Sequence, residues 1–172
     1  MSISLFKFIN SFARKRKSLD MPGVFFAVYL PYLMLFYFVA YFILTDNMRL
    51  MVFPLLSGLF ARFFINNLIY IFYKKQRPSA LKETKVLIAV PKYPSFPSGH
   101  ASFFFGVSFA LFFNNPVIAL CFIVLSCLMS VARVFCGVHW FRDILAGAVV
   151  GGLSSMLIYY LLKSWIFFSQ FF

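Results

Sequence analysis

Acidic residues are what this chain most conspicuously lacks: Asp20, Asp46, Glu83 and Asp143 stand alone against 16 lysines and arginines. Charged residues of both signs make up only 12% of the sequence, where an ordinary soluble domain carries about 25%. That shortage excludes a hydrated globular surface, and 63% apolar residues over 172 positions place the chain in a bilayer. In a soluble protein a net charge of +12 points to nucleic acid. Here too little polar surface exists for such a partner, and anionic headgroups or phosphate-bearing substrates fit better. Cys121, Cys127 and Cys136 are odd in number, form no CxxC pair and have no histidine at zinc spacing. They read as small core residues and exclude a disulfide framework. A cleavable signal peptide is not expected, because the basic cluster Arg14 to Lys17 follows the first apolar stretch and no small-residue cleavage site appears.

What is present is a series of apolar runs. In residues 2–17, Leu5, Phe6, Ile9, Phe12 and Ala13 share one helical face, while Lys7, Asn10, Ser11 and Arg14 share the other. That pattern predicts an amphipathic helix in the headgroup layer, within residues 1–20. Val24 to Leu44 carries no charge and is long enough to cross about 30 Å of hydrocarbon, with Pro31 placed to kink it. After a polar turn, Thr45 to Arg49, a second span covers 50–73, and its Arg62, Asn66 and Asn67 are expected to look into the protein. Lys74 to Pro97 is the one long polar connection, with prolines at 78, 91, 94 and 97. Further spans follow at 98–113, 117–134 and 144–162, separated by Asn114-Asn115-Pro116 and by "FCGVHWFRD". The expected fold is an all-α integral membrane protein: one domain, a bundle of about five transmembrane helices plus the N-terminal interfacial helix. Nothing in the sequence sets an oligomeric state.

Threading the spans alternately through a bilayer gathers Arg77, Ser98 to His100, Arg133, His139 and Asp143 on one face. The only two histidines of the chain are both in this set. Ser98 precedes a helical run as an N-cap, and Gly99 lets a ligand approach the backbone. A helix start offers unpaired N–H groups and a partial positive charge to an anion, with His100 alongside. His139 and Asp143, four apart, would share a helical face, where the carboxylate can hold the imidazole's tautomer. No serine or cysteine is placed as its partner, so His139 can itself be a nucleophile. Arg77 and Arg133 are planar, permanently charged forks suited to phosphate oxygens. Read residue by residue, each signal also has a plain alternative: a capped helix, an ion pair, arginines snorkelling to headgroups. Taken together they describe a phosphoryl-transfer site in which His139 attacks phosphorus and His100 protonates the leaving oxygen. Two arginines and a helix start already supply positive charge, so no metal and no other cofactor is expected.

"KKQRP", "PSGH" and "RVFCGVHWFRD" resemble the three signature blocks of the type 2 phosphatidic acid phosphatase (PAP2) superfamily. The resemblance implies His139 as nucleophile, Asp143 as its orienting acid and His100 as proton donor, with Arg77 and Arg133 binding phosphate. It departs from the family pattern at Tyr70, where the first block usually has a lysine, and at Ala132, often a serine. Lys74 or Lys75 would then stand in for the missing lysine. The N-terminal stretch "LFKFINSFARKRKSLDMPGVFFAVYLPY" is similar to that of bacterial undecaprenyl-diphosphate phosphatases. This implies a lipid phosphatase removing the terminal phosphate of an isoprenoid diphosphate, with a phosphatase for phosphatidylglycerophosphate, phosphatidate or lipid A as the alternative. A non-catalytic lipid-binding or transport protein is the alternative outside enzymes. The resemblance places the site on the outer face of the cell membrane. Apart from Arg49, Lys163 and the in-span Arg62, however, every basic residue falls on the site's face, and the positive-inside rule would put that face in the cytoplasm.

Overall fold

A computed structural model describes residues 2–46 and 48–169, with side chains at 3–46 and 50–163. Asn47 and the side chain of Arg49, both in the turn expected at 45–49, lie outside the described residues. The described secondary structure is wholly helical. Helix α1 is Ser2–Ser11 and α2 is Lys17–Leu44, the latter with a π-helical turn at Phe25–Tyr29. Helix α3 runs from Met48–Leu59 through a π-helical turn, Phe60–Ile65, into Asn66–Phe72. Helices α4, Gly99–Leu111, α5, Pro116–Phe135, and α6, Phe141–Ser169, complete the bundle.

Helices α2, α3, α5 and α6 are long and apolar enough to cross a membrane. Helix α4 has 13 residues and rises about 20 Å, short of a hydrocarbon layer of about 30 Å. It does not need that length, because it is the centre of the bundle and nearly every side chain from Ala101 to Leu111 is buried. Small residues let its neighbours close in. A Cβ on Gly106 would lie 3.1 Å from the Cα of Gly58, and one on Gly151 would lie 2.6 Å from the Gly106 nitrogen. Around this seam Met34, Phe38, Phe42, Phe104, Leu111 and Met129 form the larger apolar core.

Pro31 and Pro54, inside spans, leave carbonyls that a helix would otherwise satisfy. Pro31 has no N–H for the carbonyl of Ala27, four residues back, and Nη1 of Arg133 donates to that oxygen at 3.0 Å. Pro54 has none for Leu50, whose carbonyl accepts the Asn114 amide at 3.0 Å. In both cases a side chain from another part of the bundle replaces the lost bond.

Helix α1 is less simply amphipathic than its sequence. Phe6 packs on Trp140 with ring centroids 4.9 Å apart, but Asn10, expected on the polar face, is buried. Its amide donates to the carbonyls of Lys85 and Phe135, both at 2.8 Å, and its oxygen accepts the Lys85 N–H. A buried amide is tolerated when every polar atom is matched, and here the match ties α1 to the 73–98 loop. Arg14 Nη2 donates to Val86 O, and Lys85 Nζ to Ser11 O, along the same seam.

Candidate active site

The link between α5 and α6 carries the two central groups. Gly137 adopts φ +78°, and a Cβ there would lie 2.7 Å from the Lys85 carbonyl. Glycine's freedom in the left-handed region is what allows this turn. His139 comes two residues later and is buried. Its Nδ1 is 3.1 Å from the Ser95 carbonyl and 3.6 Å from Oδ2 of Asp143. A carbonyl only accepts, so Nδ1 carries the hydrogen, and Nε2 is left with its lone pair. Arg77, which only donates, points Nη1 at Nε2 from 3.1 Å. The network therefore fixes one tautomer. Burial pushes the His139 pKa down to about 4, against the opposing pull of Asp143, so the ring is neutral and nucleophilic at ordinary pH.

His139 and Asp143 meet, but not on a helical face as their spacing predicts. His139 precedes α6, which begins at Phe141, and Asp143 sits in its first turn. From there the carboxylate reaches back to the Trp140 N–H at 2.9 Å, an end-capping bond that starts the helix and turns the acid towards the imidazole. Its remaining capacity is filled by Lys75 Nζ at 2.6 Å and by the Ser95 hydroxyl. Ser95 thus holds both partners of the pair, and nothing in "KYPSFP" distinguishes it from any other turn serine.

The two candidate lysines separate cleanly. Lys74 is exposed, whereas the Lys75 side chain is buried on Asp143, with the rings of Phe96 and Trp140 each 5.6 Å from its ammonium. Burial lowers the Lys75 pKa, and the bond to Asp143 works against that shift. Lys75 therefore supports the carboxylate rather than facing a ligand. At the position of the absent lysine, the Tyr70 hydroxyl donates to the Pro97 carbonyl at 2.8 Å and its ring stacks on Tyr93.

Arg77 is held by carbonyls: Nε donates to Tyr93 O, Nη1 to Val138 O and Nη2 to Pro94 O. With its bond to His139 this leaves a single Nη2 hydrogen for a ligand. The guanidinium braces the loop against the nucleophile as well as charging the site. Arg133 is buried and spends Nη1 on Ala27, but its Nε has no partner among the described residues.

At the start of α4, Ser98 occupies the N-cap position without making the expected side-chain cap, and its buried hydroxyl is unpartnered. Its backbone N–H is already given to the Asp143 carbonyl at 2.9 Å. The donors open to an anion are therefore the Ser98 hydroxyl and the first-turn N–H groups of Gly99 and His100. Asn66, fully buried, accepts from Ser102 through Oδ1, which leaves Nδ2 unpartnered. That Nδ2 and the guanidinium of Arg62 both lie 3.8 Å from where a Gly99 Cβ would stand. Asn66 and Arg62 thus face inward as their spacing predicts, whereas Asn67 is exposed. His100 is half-buried, within the field of Arg62, Arg77, Arg133 and His139. Unmatched buried donors, Arg77, Arg133 and a neutral imidazole make a site for a phosphoryl group. Among the described residues no group of three or more His, Cys, Asp or Glu is placed to hold a metal ion. A larger apolar groove, about 590 Å³, opens beside Phe109 and Phe113, more than two turns of α4 away.

The model of the PAP2 superfamily matches residues 51–167. The chain is 27% identical over 162 residues to the bacitracin transport permease protein BcrC of Bacillus licheniformis, covering 93% of this chain and 80% of that one. It is 26% identical over 161 residues to the undecaprenyl-diphosphatase BcrC of Bacillus subtilis strain 168, covering 92% and 83%. Among solved structures, Aquifex aeolicus LpxE superposes with a TM-score of 0.76 at 21% identity, covering 92% of this chain and 94% of that one. The PAP2-type phosphatidylglycerolphosphate phosphatase of Bacillus subtilis gives 0.64 at 19% identity, covering 94% and 86%. Both share the fold.

Proposed function

The chain belongs to the PAP2 superfamily of membrane lipid phosphatases, and from that premise we propose that it removes the terminal phosphate of undecaprenyl diphosphate through a phosphohistidine. The observation that carries the mechanism is the fixed tautomer of His139: Nδ1–H is held by the Ser95 carbonyl with the Asp143 carboxylate close by, and the Nε2 lone pair is turned to Arg77. Nε2 gives up its hydrogen bond from Arg77 Nη1 and attacks the terminal phosphorus in line as the bond to the bridging oxygen breaks. His100, which takes up a proton as the anionic phosphates dock among the arginines, gives it to that oxygen, and the lipid monophosphate departs. Asp143 steadies the positive charge now on the imidazole. Neutral His100 then takes a proton from water, whose oxygen bonds to phosphorus as the N–P bond breaks. Orthophosphate leaves and His139 is again neutral. Throughout, Arg133, the free hydrogen of Arg77, the Ser98 hydroxyl and the α4 N–H groups stabilise the equatorial oxygens. The charge of these groups does the work that a metal would otherwise do, and the one nearby carboxylate is engaged by Lys75, Ser95 and Trp140.

The identity to an undecaprenyl-diphosphatase over most of the chain favours the isoprenoid substrate. We place the site on the outer face of the bacterial cell membrane. Several cations that count against this are engaged in fastening α1: Lys7 pairs with Glu83, and Arg14 and Lys85 donate to carbonyls across the seam.

The test is phosphate release by purified protein from isoprenoid and glycerolipid phosphates, with EDTA present. Undecaprenyl diphosphate is expected to be the best substrate, EDTA to leave the rate unchanged, and His139→Ala to lose at least about a thousandfold in kcat. Full activity in that variant sinks the mechanism, and preference for a glycerolipid phosphate sinks the substrate. A reporter fused after Lys163 reads cytoplasmic if the site faces outward, because that end of α6 lies across the membrane from Asp143.

A further inference from the structure

Arg62 is a cation inside a membrane-spanning helix, and the mechanism above gives it no role. It lies in the π-helical turn Phe60–Ile65, the kind of local widening that recurs at functional sites. No hydrogen bond or ion pair engages it among the described residues; its guanidinium rests 5.5 Å from the Phe63 ring. An intramembrane charge without a protein partner is costly, and such charges mark binding sites. This one borders a cavity of about 200 Å³ lined by Arg62, Phe63, Asn67, Tyr70, Tyr93 and Gly99. Neither His139 nor Arg133 lines it. The cavity is therefore the neighbour of the reacting centre across Gly99, not the centre itself. The fully buried Asn66 adds a second, independent sign, because its unpartnered Nδ2 is aimed at the same point.

We propose that Arg62, with the Asn66 amide, binds the second phosphoryl group of a diphosphate substrate, the one that leaves attached to the lipid. This deepens the function proposed above and rests on it. In an in-line displacement the departing oxygen lies opposite His139 Nε2, beside His100, and the group bonded to the far side of that oxygen falls next to Gly99. In a diphosphate this group is an anionic phosphoryl, which meets the guanidinium as its charge grows. In a simple phosphate ester it is a carbon chain, and Arg62 has nothing to bind. Phe63, 58% exposed, borders the same cavity, where the isoprenoid would pass out. Arg62 thereby selects diphosphates over monophosphates, and Tyr70 makes room for it by bonding to Pro97 instead of placing a second cation there.

The experiment compares wild type, Arg62→Gln and Arg62→Lys on farnesyl diphosphate and farnesyl monophosphate. Binding of non-hydrolysable methylenediphosphonate and of orthophosphate is measured on the same proteins by calorimetry. Arg62→Gln is expected to lose about thirtyfold or more in kcat/KM on the diphosphate and about tenfold in methylenediphosphonate affinity, with changes under about threefold for both monophosphates. Arg62→Lys recovers part of the diphosphate loss. Equal losses on both classes would place Arg62 on the reacting phosphoryl and overturn the assignment, as would no loss on either. If Arg62→Gln fails to fold, Arg62→Lys carries the same comparison, since a lysine loses the forked contact selectively. If the protein hydrolyses neither ester, the proposed function falls, and the contrast in binding between methylenediphosphonate and orthophosphate decides the role of Arg62 alone.

Discussion

Because burial holds the His139 pKa near 4, the ring stays neutral as pH falls through about 6.5, where a free imidazole takes up its proton. Between those values the unfolded chain binds a proton that the folded one refuses, so stability declines as pH falls across that window. With two histidines in the chain, histidine-selective isotope labelling gives two imidazole signals, assigned by a His100→Asn variant. The His139 signal is expected to remain neutral at pH 6 and to move only near 4; titration at 6.5 would contradict the burial argument. Lys75 allows a sharper comparison. Lys75→Met strips a buried carboxylate of a partner and is expected to cost about 3 kcal/mol, read by denaturant unfolding in detergent. Lys74→Met, on an exposed side chain, is expected to stay within about 0.5 kcal/mol. His100, His139, Asp143, Arg77 and Arg133 are conspicuous in the sequence because polar groups are rare there. The sequence offers no basis for choosing between Lys74 and Lys75, since the choice depends on which way two adjacent side chains point after Tyr73 leaves the helix with φ −132°.

At the scale of elements, apolar runs make the spans legible, as length against hydrocarbon thickness requires. Three features are not legible. The π-helical turns at Phe25–Tyr29 and Phe60–Ile65 have no compositional mark. Helix α6 starts at Phe141 rather than Ile144, because Asp143 caps the Trp140 N–H. Helix α4 is a short core helix, and an apolar run looks the same whether lipid or protein covers it. The proline compensations are testable as a pair. Asn114→Ala is expected to cost about 1 kcal/mol by removing the bond to the Leu50 carbonyl. In a Pro54→Ala background the restored N–H takes that carbonyl, and the same substitution should then cost almost nothing. An unchanged cost in a double-mutant cycle would separate Asn114 from Pro54.

For the whole molecule, the contact of α4 with α3 and α6 determines where the start of α4 stands relative to His139. Gly151→Ala would drive a methyl into the backbone at Ser102 and Gly106, at 2.7 and 2.6 Å, whereas Gly152→Ala meets only the Phe109 ring at 3.3 Å. The first is expected to lower the thermal midpoint in detergent by several degrees more than the second, with phosphate release falling in parallel. Equal effects would mean that the helices can part at this seam without loss. The same molecule-wide dependence holds in time. Asn10 joins its own helix to Lys85 and to Phe135, so it waits for a residue made 125 positions later. During translation the loop that carries Ser95 and Arg77 therefore cannot be latched until all of α5 has been synthesised, and ribosome-bound intermediates that stop short of Phe135 lack the closed site.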